Sequence, residues 1–186
     1  MKKLTLMTLV AVMLLSAGAM AFDGNRKGFV LGGGIGFAPT IKVEVEDDGD
    51  WNNAGVSAHI VIGYAWDEKN MLVYESNGAA FEETMFGEDV MFSQSIGAAS
   101  WYHYFGESGK TFYTVVGLGL MVGDTDETDA TDPGAGILLG GGYEFSRHWQ
   151  VGLYLASGKS SVGDAFWGDT DLTHTTLSLL VSGIAF

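Results

Sequence analysis

From Ala54 to Trp66 the chain places Val56, Ala58, Ile60, Ile62, Tyr64 and Trp66 on one parity and Gly55, Ser57, His59, Gly63 and Ala65 on the other. A two-residue period of this kind is a β-strand with one apolar face and one small or polar face. Three more segments read the same way. Phe29, Leu31, Ile35 and Phe37 oppose Gly32, Gly34 and Gly36; Ile137, Leu139, Tyr143 and Phe145 oppose Gly136, Gly140, Gly142 and Glu144; Trp149, Val151, Leu153 and Leu155 oppose Gln150, Gly152 and Tyr154. With four noisier runs, the pattern predicts eight strands: Gly28–Thr40, Ala54–Trp66, Met71–Phe81, Val90–Phe105, Thr111–Val122, Ala135–Phe145, Trp149–Lys159 and Leu172–Phe186. In the last run Phe186, Ile184 and Leu180 compete with Val181, Leu179 and Leu177 for the apolar face, and periodicity leaves its register open.

The apolar faces carry the bulk, and aromatic residues close their ends: Tyr64 and Trp66, Tyr102 and Tyr104, Tyr143 and Phe145, and Trp149. The opposite faces hold Gly, Ala and Ser with Glu75, Asn77, Gln94, His59, His103 and Glu144, too small and polar for the core of a soluble sandwich. The apolar faces are therefore read as meeting lipid, with the aromatics as interfacial girdles. Connections alternate short (Asp67–Asn70, Gly106–Lys110, Ser146–His148) and long (Ile41–Asn53, Glu82–Asp89, Gly123–Gly134, Ser160–Asp171). That asymmetry and the even strand count predict an all-β fold, a closed antiparallel up-and-down transmembrane β-barrel of eight strands, with both termini on the periplasmic side.

The N-terminus is read separately. Met1-Lys2-Lys3, the apolar run Leu4–Ser16 and the small residues Ala19 and Ala21 form the three parts of a secretory signal peptide, so residues 1–21 are expected to be cleaved and residues 22–186 to form the barrel domain. Removing them takes away two lysines and no acid, which leaves 7 basic against 23 acidic side chains, a net charge of −16. That sign excludes nucleic acid as a partner. The chain has no cysteine, hence no disulfide or thiolate site. Hydrophobic residues make up 47% of it, yet no later run reaches the ~18 apolar residues of a membrane helix, and 28 glycines fit strands better than helices.

The signal peptide, the strand–turn–strand sequence Gly142-Tyr143-Glu144-Phe145-Ser146-Arg147-His148-Trp149 and the terminal Phe186 resemble the small eight-stranded outer-membrane barrels, the group that includes the OmpA transmembrane domain and OmpX. The resemblance covers the whole mature chain. It implies residence in the outer membrane of a Gram-negative-type bacterium after Sec export, with outer-membrane lipid and lipopolysaccharide as neighbours. It also implies that Phe186 serves as the assembly signal for the barrel-insertion machinery. The tail departs from the family pattern at Ser178 and Ser182, where apolar residues are usual.

Candidate chemistry is sparse. Eight strands leave an interior that side chains fill, so the inward glycines are expected to make room for Tyr154, Tyr113, His103 and Trp101 rather than for a pore. Gly32-Gly33-Gly34-Ile35-Gly36 lacks the spacing and the helix of a nucleotide-binding loop, and no cofactor is expected. A lipid A-modifying esterase would need a histidine and a serine in contact; His174 and Ser178 lie four residues apart on a strand, roughly 13 Å, and Thr176 and Leu177 replace the deacylase motif. His174 is read as a polar residue of the rim. The acidic loops supply oxygen ligands suited to divalent cations, with Asp124, Asp126, Glu127 and Asp129 as weak metal candidates, although that segment lacks the glycine and glutamate of an EF-hand. The resulting expectation is a non-enzymatic barrel with a filled lumen, serving envelope integrity or surface interaction through acidic loops. A lipid A-modifying enzyme and a narrow channel are the alternatives.

Overall fold

The computed structural model describes residues 26–45, 49–85, 88–125, 131–164 and 168–186. The signal-peptide residues, including Ala19 and Ala21, lie outside them. Eight antiparallel strands form one closed barrel: β1 (Gly28–Val45), β2 (Gly49–Ala65), β3 (Asn70–Met85), β4 (Glu88–Tyr104), β5 (Thr111–Thr125), β6 (Asp132–Ser146), β7 (Trp149–Asp164) and β8 (Gly168–Ala185). Each strand pairs with its sequence neighbours, and β8 returns to β1, so the sheet has no open edge. Closure satisfies the backbone within the protein, the condition for crossing hydrocarbon with strands.

Parity in β1, β2, β6 and β7 is as the alternation predicts: Ile35 is 75% exposed on the outside, while Val30, Val61, Leu138 and Tyr154 are buried inside. The fourth strand is reversed. Tyr102 and Tyr104 point into the lumen, and Trp101 stands outside, 46% exposed. His103 shares the outer parity, half-buried between Trp101 and Phe105, with ring centroids 5.8 and 5.1 Å away. Four consecutive aromatic residues erase the two-residue signal in Trp101–Tyr104, and hydroxyl chemistry decides: Tyr102 and Tyr104 find hydrogen-bond acceptors inside, whereas the Trp101 Nε1–H donates to Asn70 at 3.2 Å in the girdle.

The eighth strand takes the parity of Leu177, Leu179 and Val181 for its outer face, and Leu180, Ile184 and Phe186 join the core. Ser178 and Ser182 are thereby inward residues. Their polarity, a departure when read as an outer face, suits the lumen.

The strands outrun their predicted ends at the pole opposite the short turns. Ile41–Val45, Gly49–Asn53, Glu82–Met85 and Ser160–Asp164, assigned to long loops, are paired strand instead. Asp, Glu, Asn and Gly disfavour strands intrinsically, but a ladder already in register extends past them because each further residue adds paired backbone. Between Ala38 and Ile41 a bulge shifts β1 so that Ile41 remains buried inside. At the opposite pole, Asp67 accepts from the backbone N–H of Lys69 (2.7 Å) and Asn70 (2.8 Å) and from the Asn70 side chain, and the Asn70 side-chain bond first, then the backbone bonds, hold its carboxyl below the usual carboxylate range.

Inward glycines create the space that lumen side chains occupy. A Cβ at Gly152 would stand 2.2 Å from Tyr113 Oη and 2.8 Å from Tyr154, two residues whose hydroxyls bond at 2.9 Å. On the outer face, a Cβ at Gly183 meets only ordinary contacts, Trp149 at 3.7 Å. Gly152→Val is expected to lower the stability of refolded barrel by about 1–3 kcal/mol through overpacking, and Gly183→Ala to be near neutral, in urea titrations followed by heat-modifiable mobility.

Candidate functional site

The lumen is filled in tiers. At the pole of the short turns, Arg26, which precedes β1, is wholly buried and pairs with Glu144 of β6. Its guanidinium lies 3.5 Å from the centroid of Tyr104 and 5.6 Å from that of Phe186. Glu144 also accepts from the backbone N–H of Gly109 at 3.0 Å. The sequence leaves Glu144 without a partner because basic residues are scarce on the strands; Arg26 arrives from outside them. Glu144 on an inward parity, with Arg26 the only basic residue just ahead of β1 besides Lys27, was the available signal.

Phe186 sits in the same tier, its ring 4.7 Å from that of His148. His148, in the left-handed region at φ 68°, donates from Nδ1 to Ile184 O at 2.9 Å, and Ile184 N–H donates back to His148 O at 2.8 Å. The β6–β7 turn thus clasps the end of β8.

In the middle tier Glu75 accepts from His59 Nδ1 (2.9 Å) and from Tyr102 Oη (2.8 Å), and His59 Nε2 accepts from the Ser182 hydroxyl at 2.7 Å. Tyr113, Tyr154, Gln150 and Tyr104 continue the hydrogen-bonded chain toward Arg26. Glu75 is inward, as the sequence predicts, and a buried carboxylate with two donors meets the requirement that such groups be partnered.

The upper tier is centred on His174. It is buried rather than placed at the rim, because the parity of β8 turns it inward. Gln94 donates to Thr176 Oγ1 and to Thr175 O (3.2 Å), which fixes its amide with Oε1 toward His174 Nδ1, 2.8 Å away. His174 Nε2 then accepts from Ser160 Oγ at 2.7 Å. The serine in contact with His174 is Ser160, not Ser178, whose buried hydroxyl has no partner among the described residues. Ser160, His174 and Gln94 have the connectivity of a nucleophile, a base and an orienting group. Ser160 is itself buried and is not among the residues that line the cavity described next.

Above this tier the barrel opens into a cavity of about 330 Å³. Ile41, Val43, Phe81, Phe92, Val162 and Leu172 form apolar walls, His174 and Gln94 lie at the floor, and Trp51, Glu83 and Asp124 are among the other lining residues. Glu83 accepts from Asn53 Nδ2 at 3.2 Å. Sequence reasoning missed this cup because its walls belong to the strand extensions assigned to loops. Of the metal candidates, Asp124 is the penultimate residue of β5, beside the cup on the outer parity, and Asp126, Glu127 and Asp129 lie outside the described residues. Among the described residues no group of three or more His, Asp or Glu side chains is placed to hold a metal ion.

A profile described as the outer membrane protein beta-barrel domain matches residues 7–183. No curated protein matches the chain. Among solved structures the fold is similar to neisserial surface protein A (NspA), with TM-score 0.54 and 17% identity over 84% of this chain and 96% of that one. It is also similar to Ail, the attachment invasion locus protein of Yersinia pestis, with TM-score 0.52 and 11% identity over 84% of this chain and 99% of that one. A match across nearly the whole chain, the closed eight-stranded barrel and its apolar outer face agree: this protein belongs to the outer membrane protein beta-barrel domain family and resides in the outer membrane of a Gram-negative-type bacterium.

Proposed function

We propose that the mature chain, starting at Phe22 after cleavage behind Ala21, is a non-enzymatic and non-conducting barrel that reinforces the outer membrane and presents an acidic outer end to its surroundings. The observation that supports this most is the filled lumen: three hydrogen-bonded tiers, from Arg26–Glu144 through Glu75–His59 to Gln94–His174, occupy the interior below the cup. A polar interior bonded largely within itself stiffens the wall, and eight strands leave room for side chains rather than for a continuous water path. Purified protein in planar bilayers is expected to give no single-channel steps, and discrete conductance steps would sink the reading.

The contact between Ser160 and His174 favours one second reading, hydrolysis of a lipid ester. Lipid A mass spectra from cells with and without the protein decide between them. Identical spectra are expected, and loss or transfer of an acyl chain would establish the enzyme.

The acidic outer end faces anionic lipopolysaccharide, so two negative surfaces meet, and Mg²⁺ or Ca²⁺ bridging them would relieve repulsion that salt screens over ~8 Å. In vesicles containing lipopolysaccharide, millimolar divalent salt should raise the unfolding midpoint more than monovalent salt of matched ionic strength. Replacing Asp124, Asp126, Glu127 and Asp129 with Asn or Gln should shrink that excess while the barrel still folds. Coincident curves for the two salts would remove divalent cations and these carboxylates from the account.

A further inference from the structure

We infer that the cup at the outer end is a binding site for a small hydrophobic cation: a quaternary ammonium or protonated amine carried on a short alkyl or aryl body. A cavity of about 330 Å³ walled by aliphatic and phenyl side chains is at the lower end of small-molecule sites, sized for a short apolar body. It is closed below by the Gln94–His174–Ser160 tier, whose ring nitrogens and amide are already engaged, so the floor offers an incoming group little polar exchange. An apolar ligand therefore enters from the mouth and stops.

The mouth selects by charge. Among the described lining residues Glu83 is the one carboxylate on the inward parity, Asp124 stands beside the rim on the outer parity opposite Ser93, and none is Lys or Arg. Trp51 is half-exposed in the same lining, opposite Val43, an indole face available to a cation drawn by Glu83. Exposed Glu82, Asp89 and Asp132 around the same pole add to a net negative field, since the lysines there, Lys42 and Lys159, are paired with Glu44 and Asp171, and that field concentrates cations at the opening and repels anions. A fatty-acid carboxylate or a lipid phosphate meets repulsion where an ammonium head meets the Glu83 carboxylate and an aromatic face. Apolar walls, acidic rim and rim indole together fit the hydrophobic cation and disfavour the anionic amphiphiles that surround the barrel.

The test uses the full mature protein in zwitterionic-lipid nanodiscs, titrated calorimetrically with three six-carbon probes: hexyltrimethylammonium, 1-hexanol and hexyl sulfate, with empty nanodiscs subtracted. The cation is expected to bind at least tenfold more tightly than the sulfate and more tightly than the alcohol. In Glu83→Gln/Asp124→Asn the cation's affinity should fall to that of hexanol while hexanol binding is unchanged; both positions are exposed, so the variant folds. Trp51→Leu, which keeps the apolar surface and removes the indole, should weaken the cation selectively. Val162→Trp should fill the cup and abolish saturable binding of all three. Cation binding no tighter than sulfate, or a cation preference untouched in the double variant, overturns the proposal, as does saturable binding that persists in folded Val162→Trp.

Discussion

Replacing Arg26 with Met should destabilise the barrel by about 3–5 kcal/mol, the cost of leaving one member of a buried ion pair without its partner. Both groups are out of water, Arg26 completely and Glu144 to within 2%, so the stranded carboxylate keeps the Gly109 N–H but loses its counter-charge. Arg26 also stacks on Tyr104 and donates to Glu68 O, so its loss loosens the connection between the segment before β1 and the β2–β3 turn. Glu144→Gln alone should cost less, because Arg26 keeps the Glu68 carbonyl, the Tyr104 ring and a neutral amide acceptor. The double variant Arg26→Met/Glu144→Gln should recover a large part of the Arg26→Met loss, since what destabilises is the unpaired charge more than the absence of the pair. Urea titrations of the three variants in lipid vesicles, read by the shift of folded barrel on unheated gels, give the cycle. Additive single effects would mean that Arg26 acts through packing and not through Glu144.

Strand number, order and most parities were legible in the sequence because a barrel wall between lipid and a narrow lumen imposes the two-residue period. Val56 to Trp66 show why: one parity must be apolar over the whole span, and the other must be small enough to share the interior. The reading failed where both parities carry the same kind of residue. Trp101-Tyr102-His103-Tyr104 is aromatic throughout, and Leu177 to Val181 is apolar on both sides of Ser178, so the choice rests on partners in distant strands. Glu75 and Gln150 supply the acceptors that pull Tyr102 and Tyr104 inward, and His59 supplies the partner of Ser182. Nothing local encodes those pairings.

The candidate site was less legible than the fold. His174 was visible as the single histidine near the outer end, but Ser160 is fourteen positions away and reaches it only through the β7–β8 register, in which Ser160 stands opposite Leu172. The cup escaped notice for a related reason. Residues such as Val43, Trp51 and Glu83 sit among Asp, Asn and Gly, a composition that reads as loop, and they become walls only when the ladder extends beyond the apolar band. Arg26 lies ahead of the first strand, where periodicity gives no information. In each case the missing information is long-range pairing.

Ile60→Arg should destabilise the folded barrel by about 2–4 kcal/mol, the cost of a basic residue at the bilayer midplane of a transmembrane barrel. The position follows from geometry. Ile60 faces outward, 63% exposed, six residues along β2 from the girdle residue Trp66. Six residues at ~3.4 Å, on a strand tilted by ~40°, place it roughly 15 Å inside the interface along the bilayer normal, about half of an apolar band ~25 Å tall. From that depth the guanidinium reaches headgroups only by stretching its full length. Trp66→Arg, at the interface itself, should cost ~0–1 kcal/mol by the same depth dependence. The neighbouring His59 obeys different physics, because it faces the lumen. His59→Gln keeps a donor for Glu75 and an acceptor for the Ser182 hydroxyl, and should be tolerated at small cost. His59→Leu removes both and should cost about 1–3 kcal/mol, the desolvation penalty of the partners left unsatisfied. Urea titrations in vesicles are expected to rank the variants Ile60→Arg worst, His59→Leu next, with His59→Gln and Trp66→Arg close to the parent. A ranking in which His59→Gln falls below Ile60→Arg would mean that β2 presents its other face to lipid.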